Sequence, residues 1–241
     1  MMASNDERLF VGQLALVTGA SHGIGAAIAQ ALGAAGAHVI LTGRDAKALE
    51  QVEDRIHAAG GDATIAPMDL TEPDAIARLA VAVGGRWAAL DMLVLSAAVL
   101  PPLTSVVDID GNSFTKALTT NVLATQALLA RFHPMLRKST NARVIGLTSS
   151  VAATPRAYWG AYAASKAAFA VLLDCYAEET RNVSAIRVAI VNPGATRTKM
   201  RASAYPGEDP ASLKAPEVVA RRLLALLGEP FVSPHRENVT G

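Results

Sequence analysis

The 241-residue sequence predicts a doubly wound parallel α/β domain. Short apolar runs alternate with helix-like segments along the whole chain, and successive runs lie too far apart to form hairpins. Polar residues and glycines gather just after these runs, where ligands bind in such sheets. Parallel strands covered on both faces read as continuous apolar stretches because neither face meets water.

LALVT (Leu14 to Thr18) reads as the first strand, and Ile24 to Ala35 as a helix that Gly36 stops. AHVILT (Ala37 to Thr42) is a second strand. Asp45 caps a helix running to about Ala59, where Gly60-Gly61 ends it. ATIAPMDL carries a third strand toward Asp69, and the stretch after Pro73 is helical to about Val83. DMLVLSA (Asp91 to Ala97) is a fourth strand, Ser113 to about Leu136 a long helix, and RVIGLTS (Arg143 to Ser149) a fifth strand. A helix from about Ala157 to Thr180 and a sixth strand, IRVAIVNPG, ending at Pro193 complete the alternation. Residues 1–241 read as one domain, since a chain of this length builds one substantial core.

Composition removes several function classes. Lys and Arg number 22 against 21 Asp and Glu, a formal charge of +1, with no basic block to meet nucleic acid. The single cysteine, Cys175, excludes an intrachain disulfide and a cysteine-based zinc site and fits a cytoplasmic setting. His38, His57, His133 and His235 lack metal-ligand spacing. The start, MMASNDERLF, has no basic-then-apolar signal pattern. Between Arg8 and Arg44 there is no formal charge, but glycines interrupt the run at its middle, so a βαβ unit is expected rather than a membrane span.

The stretch TGASHGIG joins the first strand to the first helix. Its Gly-x3-Gly-x-Gly spacing (Gly19, Gly23, Gly25) lets the backbone pass close to a pyrophosphate, with the helix amides aimed at it. The alternative is an ordinary tight turn. At the end of the second strand, an acidic residue would hold an adenosine ribose hydroxyl; here Gly43 stands in that place and Arg44 follows. The planar fork of Arg44 suits a 2′-phosphate, and His22 adds a base nearby, so NADP(H) is expected over NAD(H). A solvated loop charge is the other reading of Arg44, and Asp45 is better explained as a helix cap than as a ribose ligand.

YAASK places Tyr162 and Lys166 on one helical face. A free phenol titrates near ~10, and an adjacent ammonium is expected to bring it into a range useful for acid–base chemistry. Ser149, thirteen residues before Tyr162, closes the fifth strand and can donate a hydrogen bond to a carbonyl oxygen. In isolation, Tyr-x3-Lys is common on amphipathic surfaces. Only the combination is informative.

Together TGASHGIG, YAASK, the strand-end serine, Asn121 in TTNVLAT, and NPGATRT resemble the short-chain dehydrogenase/reductase family from about residue 10 onward. WGAYAASK and TRTKMRASAYPGEDPASLK are similar to its YciK-like bacterial branch. The resemblance implies a Rossmann-like sheet ordered 3-2-1-4-5-6 and an oxidoreductase that moves a hydride between NADP(H) and a carbonyl or alcohol. It implies that Tyr162 exchanges the proton of the substrate oxygen and that Ser149 polarises the carbonyl. Lys166 would lower the phenol's pKa and bind the nicotinamide ribose, and Asn121 would hold a relay water. The cofactor would lie along Thr18, Gly19, Ser21, His22, Gly23, Ile24 and Gly25, then Arg44, Asp69 and Leu70. Ser96, Ala97 and Ala98 would follow, and Pro193, Gly194, Thr196 and Thr198 would meet the carboxamide end. Asp69 would contact adenine; the competing reading makes it a loop residue capping the next segment. A homodimer or homotetramer is implied as well.

The sequence departs from the family pattern in several places. Leu95-Ser96-Ala97-Ala98 replaces the usual Asn-Asn-Ala-Gly, and Ala98 is expected to narrow the cofactor cleft. Ser150 directly precedes Val151, as the family's serine often does, whereas the spacing favours Ser149; both stay open. The sequence ends at Asn238-Val239-Thr240-Gly241, so a seventh, edge strand is expected to be short or missing, which weighs against the tetramer. Residues 196–216, rich in Pro, Gly and charge, are the expected substrate lid. Substrate identity is not legible in the walls at 97–112, 151–160 and 196–215. A binding protein of the same fold that lost catalysis is the competing class, disfavoured by the retention of Tyr162, Lys166, Asn121 and a serine.

Overall fold

Five apolar runs become parallel strands because each can bury both faces, and two more exposed strands flank them. The structure, a computed structural model, describes residues 9–240, so the ends of the expected 1–241 domain and most of MMASNDERLF lie outside the described residues. The strands are β1 (Leu14–Thr18), β2 (His38–Gly43), β3 (Asp62–Pro67), β4 (Met92–Leu95), β5 (Arg143–Leu147), β6 (Arg187–Asn192) and β7 (His235–Asn238). They hydrogen-bond in the order β3-β2-β1-β4-β5-β6-β7, all parallel. The seventh strand is therefore present but only four residues long.

Alternate side chains on each strand serve two separate cores. Ala15 and Val17 of β1 join a cluster with α1 (Gly23–Ala34), α2 (Ala46–Ala58) and α8 (Pro216–Gly228). Leu14 and Leu16 face the opposite layer, built on α3 (Ala75–Gly84), α5 (Ala124–Leu136) and α6 (Gly160–Thr180). The expected caps are in place. Asp45 accepts from Ala48 N at 3.0 Å, and Gly36, at φ +95°, ends the first helix.

Several boundaries differ from expectation, among them β5, which stops at Leu147 and leaves Ser149 on the loop beyond it. β4 stops at Leu95 rather than Ala97, because Ser96 N and Ala97 N turn to bond Thr18 Oγ1 at 3.0 and 3.1 Å. The expected Ser113–Leu136 helix starts earlier, as α4 (Gly111–Leu118) behind an Asp110 cap, and is broken by one wide turn at Thr119–Leu123 before α5. α6 begins at Gly160, not Ala157, since Tyr158 takes a left-handed φ of +70°. The 196–216 segment holds the short helix α7 (Lys199–Ala204), and Thr196 bridges Lys214 at its ends.

Gly146 sets how closely α6 lies on the sheet. A Cβ there would sit 2.2 Å from Leu173 Cδ1 and 2.9 Å from Phe169 Cζ. Only a bare backbone lets the helix carrying Tyr162 and Lys166 press against the end of β5. The strand order reverses between β1 and β4, and the crevice opens outside their carboxyl ends, Thr18 and Leu95.

Candidate active site

At that reversal point the chain folds its glycine turn back on itself. Gly19 (φ +65°) brings its Cα so near β4 that a Cβ would lie 2.8 Å from Ala97 Cα, and a Cβ on Gly25 would lie 2.3 Å from Gly19 O. Thr18 is buried behind the turn, bonding the backbone of Val94, Ser96 and Ala97. It holds the floor rather than lining the crevice. The first turn of α1 carries no acidic residue, and His22, its N-cap, makes no side-chain cap bond. Amide groups at the positive helix end therefore face the cavity, as an anionic diphosphate requires.

The cavity measures about 310 Å³. Its walls include Gly19, Ser21, His22, Gly23, Ile24 and Gly25, then Arg44, Asp69 and Leu70, then Ser96, Ala97 and Ala98. Tyr162, Lys166, Pro193 and Thr198 close it at the other end. Ser149, Gly194 and Thr196 lie instead on an adjoining cavity. Asn121 is buried and lines neither. Lys116, Thr148, Lys199 and Met200 also line the first cavity and were not singled out by sequence, although Thr148 lies in RVIGLTS and Lys199 and Met200 in TRTKMRASAYPGEDPASLK. Among the described residues no group of acids, histidines and cysteines is placed to hold a metal. No helix among them is long and apolar enough to cross a membrane.

At the adenosine end, Asp69 shows the capping geometry. Its Oδ1 accepts from Thr71 N at 2.9 Å and Thr71 Oγ1 at 2.7 Å, and these bonds hold the carboxyl below its ordinary pKa. Its other oxygen lies 4.0 Å from Arg44 Nη1. His22 Nδ1 meets Ser21 Oγ at 2.9 Å, and its Nε2 lies 3.8 Å from Asp45. Arg44, Ser21 and His22 thus cluster beside Gly43, where a Cβ would meet Ser21 Oγ at 3.3 Å. At the far end, Gly194 N bonds Asn192 Oδ1, and Thr198 caps α7 by accepting from Arg201 N at 3.1 Å.

The reactive pair departs from the electrostatics expected of it. Tyr162 and Lys166 do share one face of α6 and one cavity. Burial, however, pushes the Tyr162 phenol up to about 12 and the Lys166 amine down to about 8. Lys166 Nζ donates to Leu147 O at 2.8 Å and lies 4.5 Å from the Phe169 ring centre. The amine is spent on the end of β5, so desolvation dominates and the expected lowering of the phenol is not seen. Tyr162 Oη reaches Met200 Sδ at 3.9 Å, and among the described residues neither Ser149 nor Ser150 bonds it. Ser150 instead accepts from Arg156 Nη2 at 3.2 Å.

Asn121 occupies the wide turn, where its amide is fully committed. Oδ1 accepts from Val99 N at 2.8 Å, while Nδ2 donates to Val99 O at 3.0 Å and Ser165 Oγ at 2.9 Å. It ties the 97–100 segment to α6. Its side chain does not point toward Lys166 with a free group, which a direct relay role would need.

The fold, the glycine cradle and the paired phenol and amine define a dinucleotide-dependent oxidoreductase scaffold. The chain belongs to the short chain dehydrogenase family, whose family model matches residues 13–209. It is 35% identical over 220 residues to the oxidoreductase YciK of Escherichia coli K12, covering 90% of this chain and 86% of that one. Two solved structures match closely. A short chain dehydrogenase from Shigella flexneri 2a complexed with NADP has a TM-score of 0.92 at 33% identity, covering 97% of this chain and 99% of that one. One from Escherichia coli CFT073 complexed with NADPH gives 0.93 at 33%, covering 98% and 99%.

Proposed function

We propose that the protein is an NADP(H)-dependent carbonyl reductase or alcohol dehydrogenase that works through Ser149, Tyr162 and Lys166. The observation that carries this reading is the placement of Tyr162 and Lys166 on the wall of the cavity that begins at the glycine turn. NADP and NADPH in the two structurally similar enzymes support the coenzyme, as does Arg44 beside Ser21 and His22.

The cradle fits the group. Gly19, Gly23 and Gly25 would hold its diphosphate, Arg44 its 2′-phosphate, and Thr198 with Pro193 its carboxamide end. When bound, the nicotinamide supplies or takes the hydride. Ser149 donates a hydrogen bond to the substrate carbonyl, and Tyr162 delivers the proton as charge develops on oxygen. A phenol that titrates near 12 is fully protonated at neutral pH and hence ready to donate, and an alkoxide is a strong enough base to take the proton. The oxidative direction runs through the same state in reverse and draws on the phenolate, whose small share at neutral pH an approaching ammonium would raise. Asn121 is assigned to positioning: it fixes the 97–100 segment, and a relay water would have to sit on its main chain. A cytoplasmic homodimer or homotetramer remains part of this reading.

Tyr162→Phe tests it. Turnover is expected to fall by about 10²–10⁴-fold, the range for a lost general acid, while NADPH binding by fluorescence titration stays within about twofold. A variant as active as the parent defeats the mechanism.

A further inference from the structure

The adjoining cavity, of about 260 Å³, shares Ile24, Thr148, Tyr162, Pro193, Thr198 and Met200 with the first. Beyond that shared wall it is lined by Leu100 and Trp159 and by two cations, Arg156 and Arg201, and by no acidic side chain. The two cations are not equivalent. Arg201 is neutralised: its Nε and Nη2 grip Glu208 at 2.6 and 2.5 Å, and its guanidinium stacks 3.8 Å over the Tyr205 ring. Arg156 bonds neutral partners, Ser150 Oγ at 3.2 Å and Tyr205 Oη at 3.4 Å. Among the described residues no carboxylate pairs with it.

We infer that the substrate carries a carboxylate on an apolar or aromatic body, and that Arg156 is the residue that binds it. The inference rests on the reductase reading above and names the substrate class for the same site. Charge-assisted bonds from a guanidinium to a carboxylate are shorter and roughly twice as strong as bonds to neutral hydroxyls. The long contacts to Ser150 and Tyr205 would therefore give way to such a ligand, and the fork of Arg156 can grip both its oxygens. The body of the substrate would lie on Trp159, whose ring sits 6.0 Å from Tyr162 and 5.7 Å from Tyr205. Arg156, exposed on the loop leading into α6, lines the same cavity as Tyr162, so the anion and the reacting carbonyl would share that cavity. A cationic substrate would meet repulsion and no acid.

The test uses aryl ketones bearing a carboxylate two, three or four methylenes from the carbonyl, together with their methyl esters. kcat/KM is measured by NADPH oxidation for the parent, Arg156→Gln and Arg156→Lys. At the best chain length the acid should be preferred over its ester at least tenfold; Arg156→Gln should bring that ratio near one, and Arg156→Lys should keep part of it. A parent ratio near one at every length, or a ratio unchanged in Arg156→Gln, overturns the inference while leaving the reductase reading intact. If no compound is turned over, calorimetry on the NADPH-loaded protein decides the inference, and the reductase reading is left to the Tyr162→Phe comparison. Acid binding that weakens with salt and in Arg156→Gln upholds it; absent binding, or equal affinity for acid and ester, overturns it.

Discussion

Arg44 is 62% exposed, and among the described residues its only acidic partner is Asp69 at 4.0 Å. Such a pair contributes about 1 kcal/mol at most, so the guanidinium can turn to a phosphate at little cost. Replacing Arg44 by Ala should weaken NADPH by about tenfold or more and barely alter NADH, since hydrogen bonds to charged groups are worth ~1.5–3 kcal/mol. Equal losses for both coenzymes in fluorescence titrations contradict the assignment. Lys166 makes a different prediction. Its pKa is about 8 folded against an ordinary 10.5, so below pH 8 both states are charged and the folded one bears the full desolvation cost. Between pH 8 and 10.5 the unfolded state holds more protons, and stability rises by up to about 3 kcal/mol. Tyr162 acts oppositely above pH 10, because the folded phenol keeps its proton to about 12. In urea titrations at pH 7.5 and 9.5, Lys166→Met should lack the rise seen in the parent and be the more stable at pH 7.5. A parent with no more rise than the variant refutes the buried, desolvated amine. The identity of this pair was legible as YAASK, but its charge state was not. Desolvation and the Leu147 carbonyl come from β5, nineteen residues away in sequence, and no local pattern reports them.

Elements place these side chains through close contacts that sequence states only in part. Gly146→Ala puts a methyl into Leu173 and Phe169 and should destabilise by ~1–3 kcal/mol, as overpacked cores do. Turnover should fall further than this loss alone explains, because a small shift of α6 moves the phenol off its position. Chemical denaturation and kcat on the same preparation check both; full activity would show that α6 is not held by that glycine. The glycine turn and the Asp45 cap were readable because their chemistry is local. The break at Thr119–Leu123 was not. TTNVLAT has ordinary helical composition, and the wide turn accompanies Asn121 side-chain bonds to Val99 and Ser165, residues far off in the chain. The Ser149–Ser150 ambiguity has the same origin: both line one cavity, and the Arg156 bond to Ser150 is a contact made only after the loop folds back.

Across the whole molecule, two cores lock seven strands so that every predicted ligand segment arrives at one edge of the sheet. A ligand bridging that edge ties the β1 half to the β4 half. NADPH at 100 times its dissociation constant should add about 2.7 kcal/mol, which for a protein of this size is a rise of several degrees in Tm. NADH at the same concentration should add less; a thermal melt showing equal shifts argues against the 2′-phosphate site. β7 extends the sheet and is held from α8 by Arg222, which bonds Glu237 through two nitrogens, so the edge is short but ordered. The sequence by itself determined the alternation of elements, the parallel sheet, the family and part of the cavity wall, from Gly19 to Lys166, because burial period and turn chemistry are written locally. Only the tertiary structure decided which groups are desolvated, and that among the described residues no acid pairs with Arg156 on a cavity that Tyr162 also lines. Those properties depend on the distance between residues remote in the chain, and electric fields and solvent exclusion follow distance in space.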